Sequence, residues 1–313
     1  MSVFAEKPVA SQSQDGKRLY LKHGPIELVI EAEGVTSQDR KVAYQAAHAV
    51  FQTILPDLCG ELLLLRSVYD PKRAIPESVV GKAMHEAIIP FAKTCFVTPM
   101  IAVAGSVADH VLHSMRRAAN LTKAFVNNGG DIALYLRDSE TFDLGICSDV
   151  SSGTVHKGIT LCAADKIGGV ATSGWKGRSH SLGIADAVTV FAKNAAIADC
   201  AASLIANAVD LPNAPQIIRQ PANVLSPDSD LGGRLVTTSV GPLKQFDIEA
   251  ALGRGADVAQ NYRDSGLIVS AFLSLQDHHR IVTIDDVSVD DTSGPEKFTT
   301  VGTSQTYHGE TYA

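Results

Sequence analysis

The chain has 313 residues, 45% of them hydrophobic and 6% aromatic, enough for one large domain or two coupled lobes built from closely packed small side chains. Its formal net charge of −7 is spread without long runs of one sign, and no basic stripe is interleaved with aromatics, so nucleic acid is not an expected partner. Five scattered cysteines without a CxxC pair, a polar start without an apolar block, and only short aliphatic runs argue against a disulfide scaffold, export and a membrane span. The expectation is a cytoplasmic protein with buried, reduced thiols.

The expected organisation is a flexible tail over residues 1–16, one domain of two coupled halves over 17–287, and a polar tail over 288–313. Residues 17–23 and 26–33 read as two strands joined at Gly24-Pro25. Thr36 or Ser37 then caps a helix expected to stop at Pro56, followed by an apolar segment to Leu65. Pro76 opens a further helix through Val80, Met84 and Ile88, and Thr98-Pro99 opens another that closes on Arg116 and Arg117. Short strands follow over 122–127, 132–137, 142–147, 159–163 and 186–191. Asn194 caps a final Ala-rich helix to about Val209, residues 211–233 read as an aperiodic connection, and a hairpin closes around residues 276–279. Helices followed by a run of antiparallel strands make the fold class α+β.

Three segments carry candidate chemistry. The first is Asn127-Asn128-Gly129-Gly130-Asp131, between two strands. Paired glycines permit positive φ and close approach of a ligand to backbone amides, while flanking Asn and Asp can bond a ribose or hold a cation. The same letters also make a type I′ hairpin turn, the reading that spacing favours.

The second runs from Gly168 to His180. Gly169 and Gly174 have the gap of a phosphate loop, but Trp175 displaces the lysine and no Ser or Thr follows Lys176. What remains is a small-residue segment carrying Thr172, Ser173, Lys176, Arg178 and His180, with Trp175 able to stack on a planar ring. A glycine-rich surface loop with a packing tryptophan stands beside that reading on equal terms.

The third is the helix after Asn194. Asp199, Ser203 and Asn207 recur every four residues and so stack on one narrow face. A carboxylate above a hydroxyl offers two hard oxygen ligands, which suit Mg²⁺ completed by water or phosphate. The alternative is a polar seam packed against loop backbone. Asp277-His278-His279 reads as a solvated turn, and no nucleophile-elbow, HExxH or GxGxxG pattern occurs.

Taken in order, the stretches NNGGDI (127–132), VATSG (170–174), AVTV (187–190) and ADCAAS (198–203) resemble the ApbE-like superfamily, best known for FAD:protein FMN transferases. HGPIELVIEAEG (23–34) and TPMIAVAGSVAD (98–109) look like a bacterial and archaeal branch of it. The resemblance implies two T-fold-like halves, antiparallel sheets packed by helices, that hold a ligand between them. It also implies FAD or FMN as ligand, Mg²⁺ on Asp199 and Ser203, and a nucleotide pocket from Asn128, Gly129, Gly130, Asp131, Thr172, Ser173 and Gly174, flanked here by Trp175 and Lys176. Arg178 and Lys176 would meet an anionic small molecule, and His180 would be the proton carrier, with Arg178 and His180 the catalytic pair.

The transferases carry His-x-x-Asp-Pro-x-Thr-Gly after the TSG loop, where this chain has WKGRSHSLGIAD (175–186). The likeness therefore extends more firmly to the pocket than to flavin transfer. Archaeal relatives of the branch are linked to sulfide assimilation, so a non-catalytic accessory protein with a protein partner, or a homo-oligomer, stays open.

Overall fold

The computed structural model describes residues 7–149 and 154–283. Within the segment expected to be a flexible tail, Val9–Gln12 (β1) pairs antiparallel with Arg18–His23 (β2), from Val9 opposite Lys22 to Gln12 opposite Leu19. All four β1 residues are exposed, so backbone pairing alone holds the strand and hydropathy gives no sign of it. The polar tail expected over 288–313 lies outside the described residues.

Ile26–Gly34 (β3) completes the expected hairpin across Gly24, whose φ is +55°. Thr36 caps Ser37–Gly60 (α1) through a reciprocal box with Asp39. Pro56 does not end this helix. It sits on the exposed side, where the carbonyl left without a donor four residues back can meet water.

A short turn, Leu62–Leu65 (α2), precedes Val79–Ile88 (α3), which is capped by Ser78 rather than opened at Pro76. The helix expected from Thr98-Pro99 divides into a 3₁₀ turn, Pro99–Ala102, and Val103–Ala118 (α4). That break puts Gly105 in the first turn of α4.

Leu121–Asn128 (β4), Asp131–Leu136 (β5), Thr141–Asp149 (β6) and Thr154–Cys162 (β7) match the expected strands in outline. Gly169–Ser173 (β8) is a strand rather than a loop, and Ala187–Ala192 (β9) leads to Ala195–Ala208 (α5), capped by Asn194. The stretch read as aperiodic holds Ile217–Pro221 (β10) and Ala222–Leu225 (α6), and β10 pairs with Leu235–Val240 (β11). Gln245–Asp264 (α7) follows, so α5 is not the final helix. Ser270–Leu275 (β12) and His278–Val282 (β13) form the closing hairpin.

Nine strands make one antiparallel sheet in the order β1-β2-β3-β4-β5-β8-β9-β12-β13. Its topology repeats. Strands β2 and β3, then helices, then β4 and β5 make one half; β8 and β9, then α5 and α7, then β12 and β13 make the other. The halves join at β5 and β8 through only two residue pairs, Ile132 with Val170 and Ala133 with Gly169.

Strand alternation sorts the core into two layers. Small residues such as Ala124, Val126, Ala133, Ala171, Val190 and Ala271 face the helices. Their neighbours Phe125, Ile132, Leu134, Val170, Phe191 and Phe272 face the β6–β7 hairpin. The result is an α+β fold whose central sheet is covered on both sides. Cys200 is buried, but Cys59, Cys95 and Cys162 are only half-buried, which corrects the expectation of uniformly buried thiols. The side chain of Cys147 lies outside the described residues. No helix among the described residues is long and apolar enough to cross a membrane.

Candidate functional site

Strand register brings the candidate segments to one end of the sheet. Asn128 lies opposite Leu28, Val170 opposite Ile132, and Ala187 opposite Ser274. The β2–β3, β4–β5, β8–β9 and β12–β13 connections therefore share that end.

The β4–β5 connection is the two-residue turn that spacing favours, with Gly129 at φ +68° and Gly130 at φ +112°. Asn127 Oδ1 accepts the Gly130 N–H at 2.8 Å, and Asn128 Nδ2 donates to the Ala104 carbonyl at 3.1 Å. Arg178 lies over this turn: a Cβ on Gly129 would stand 3.0 Å from its Nη1. The glycine that makes the turn also leaves room for the guanidinium.

Strand β8 explains its glycine differently from a phosphate loop. A Cβ on Gly169 would lie 2.1 Å from the Asn194 carbonyl carbon, so the residue is small to let the start of α5 rest on the strand. The Thr172 and Thr189 hydroxyls meet at 2.9 Å, and Ser203 donates to Ser173 Oγ at 3.3 Å. Gly174 is equally confined, its hypothetical Cβ falling 2.4 Å from the Asp186 carbonyl oxygen.

Beyond Gly174 the connection is organised by Asp186, a buried carboxylate that sequence reading had placed merely at the start of a strand. Its Oδ1 accepts Trp175 Nε1 at 3.0 Å and pairs with Lys176 Nζ at 3.2 Å, while its Oδ2 accepts the Gln276 N–H at 2.7 Å. Lys176 is thus paired with a carboxylate, and the indole is held edge-on by its own N–H. His180 is exposed, and its Nε2 lies 3.0 Å from Ser226 Oγ, at the end of α6.

The polar face of α5 is present as the spacing predicts, and each member has a partner. Asp199 Oδ2 accepts the Gly105 N–H at 3.0 Å, Ser203 bonds Ser173, and Asn207 Oδ1 accepts the Leu182 N–H at 2.8 Å. These bonds suit a polar seam and a cation site alike, and the face includes a buried carboxylate. Burial first and the nearby Asp199 second push the Asp131 carboxyl well above the usual range, with the Thr172 N–H pulling it back. Burial likewise pushes Asp199 up to about 7 against the Gly105 and Ala104 N–H groups.

Asp109, also missed by sequence reading, accepts the Ala195 and Ala196 N–H groups at 3.0 and 2.9 Å, and burial pushes it up to about 6. It sits on the face of α4 that meets α5. An Asp within an Ala- and Val-rich helix was the available signal.

With this geometry in hand, the family can be assigned. The chain belongs to the AbpE bacteria family, whose model matches residues 10–281. This agrees with the resemblance carried by the motifs. A UPF0280 protein of Methanococcus vannielii is 41% identical over 141 residues, covering 42% of this chain and 55% of the relative. A UPF0280 protein of Methanopyrus kandleri is 39% identical over 130 residues, covering 41% and 48%. The chain thus spans about half the length of the curated relatives it matches. The apo flavinyl transferase ApbE of Pseudomonas stutzeri is similar in structure at a TM-score of 0.42 and 13% identity, covering 89% of this chain and 94% of that one.

Proposed function

We propose that this AbpE-family chain binds an anionic flavin- or nucleotide-like small molecule at the Gly129–Gly130 end of its sheet, with Mg²⁺ held by Asp131 and Asp199. The observation that carries the reading is that half-buried Asp131, beside the Gly129–Gly130 turn, and buried Asp199, fixed by the Gly105 N–H, come from different halves and lie near enough for the Asp199 charge to raise the Asp131 carboxyl. Two such groups cannot both ionise cheaply without a cation, so at neutral pH the pair either keeps a proton or takes a metal. Among the described residues no group of three His, Cys, Asp or Glu gathers. A cation here would complete its shell with hydroxyl, water or ligand oxygens, the preference of Mg²⁺.

Bound Mg²⁺ would neutralise phosphate charge. Gly105 orients Asp199, Asn127 shapes the turn below Asp131, and Arg178 is the cation lying over that turn. Ser203 stands one turn beyond Asp199 as a further oxygen donor. Calorimetry against FAD, FMN, ADP and ATP, with and without Mg²⁺, tests the reading. Magnesium-dependent binding that is lost in Asp199→Asn is expected, and equal binding by that variant would sink it.

A second reading, a non-catalytic binding or accessory protein, draws support from His180. FMN-transferase-like turnover needs a proton carrier near the ligand, and the one hydrogen bond His180 makes among the described residues is to the Ser226 hydroxyl rather than to a carboxylate that would orient it as an acid or base. Incubation with FAD, Mg²⁺ and candidate acceptor proteins separates the two: AMP release supports turnover, and tight FAD binding without AMP supports the accessory role.

A further inference from the structure

The β4–β5 hairpin has a second end, unrelated to the carboxylates. The last two turns of α4 carry His113, Arg116 and Arg117, the crossing into β4 carries Asn120, and the far end of β5 supplies Tyr135 with Arg137 just beyond. Together they line a depression of about 360 Å³. Along β5, Arg137 is roughly 20 Å from Asp131 at the usual rise per residue.

Two of the arginines are held in place. The Arg116 guanidinium carbon lies 4.0 Å from the centroid of the Tyr135 ring, and Arg137 Nη2 donates to Asn120 Oδ1 at 2.6 Å. None of the ion pairs among the described residues involves Arg116, Arg117 or Arg137. Asp39 feels Arg137, but its oxygens already accept the Thr36 N–H and hydroxyl and the Asn120 N–H. The negative end of the α4 dipole accounts for Arg116 and Arg117. It does not account for Arg137, which arrives from another element, or for the concavity that all three surround.

We propose that this depression is a binding site for a small phosphate-bearing anion, separate from the site at the Gly129–Gly130 turn. Guanidinium forks fixed by a ring and an amide are pre-organised for a multi-oxygen anion. The volume is at the lower end of the range for small-molecule sites, enough for a phosphoryl group and a modest attached body against Tyr135.

The probe is inorganic pyrophosphate, titrated into the full chain by calorimetry at low and moderate salt. One pyrophosphate per chain is expected at this site, weakened about tenfold by Arg116→Gln and by Arg137→Gln, weakened further as salt rises, and retained in Arg178→Gln. Thermal melts that match the parent protein would exclude misfolding as the cause, and Arg117→Gln offers a second variant on an exposed side chain. No binding, binding unaffected by all three substitutions, or binding abolished by Arg178→Gln would overturn the proposal. So would an oligonucleotide that binds through these arginines while pyrophosphate does not.

Discussion

The two ends of α4 and the β4–β5 hairpin treat charge in opposite ways. At one end Asp199 is buried, Asp109 and Asp131 are half-buried, and the surrounding protein pushes all three carboxyls upward. At the other, Arg116 and Arg117 are exposed and Arg137 half-buried, so that solvent carries most of the cost of their crowding. The difference is one of consequence. Charge at the buried end bears on folding, whereas charge at the open end costs the fold little.

The largest way to break the contrast is to pry the buried end apart. A Cβ on Gly105 would stand 2.3 Å from the Ala195 carbonyl oxygen, so Gly105→Val must separate α4 from α5 and draw its N–H off Asp199. A loss of about 3 kcal/mol in urea unfolding is expected. A loss below about 1 kcal/mol would mean the two helices are not locked at this point.

Titration sharpens it next. Asp199 at about 7 and Asp109 at about 6 both lie above the 3.8 of an ordinary carboxyl, so the folded state binds these protons more tightly than the unfolded chain does. Their contribution is therefore fully present below pH 4 and is lost as pH rises through 6 to 7, on the order of a few kcal/mol. Without divalent ions, unfolding free energy between pH 5 and 7.5 should fall. Mg²⁺ should restore stability at pH 7.5 and do little at pH 5. A flat profile with no Mg²⁺ effect would contradict the paired-carboxylate account.

The smallest effect is at the open end. Arg117→Gln should change stability by no more than about 0.5 kcal/mol in the same denaturation experiment, because an exposed cation has little to lose. A larger change would show that the arginine end, too, serves the fold.

Much of this arrangement was legible in the chain itself, and the exceptions have physical causes. Asn127–Asp131 announced a two-residue turn, Asn194 announced a helix start, and the four-residue spacing of Asp199, Ser203 and Asn207 announced one face. Periodicity was available for α7 as well, since Ile248, Ala251, Leu252, Gly255 and Ala259 recur at helical spacing, but Gly253 and Gly255 disguise it. Strand β8 was hidden because its glycine looks like a ligand loop, whereas the structure uses it to admit a helix. The roles of Asp186 and Asp109 were hidden because their partners, Gln276 and Ala195, are 90 and 86 residues away, although an Asp within an Ala- and Val-rich helix was a signal for the second. Distance in sequence likewise hides the influence of Asp199 on Asp131, since the two stand on different elements.

The joint between the halves has its own consequence. Strands β5 and β8 share two residue pairs, where β3 and β4 share seven. The nine-stranded sheet is thus stitched most loosely at its middle, along a fault line between two tandem units of like topology. Asp131 and Asp199 stand on opposite sides of that line. The strands are not what holds the halves together there: α4 lies on α5 through Gly105 and through Asp109 on the Ala195 and Ala196 N–H groups, and one helix-side core runs beneath both units.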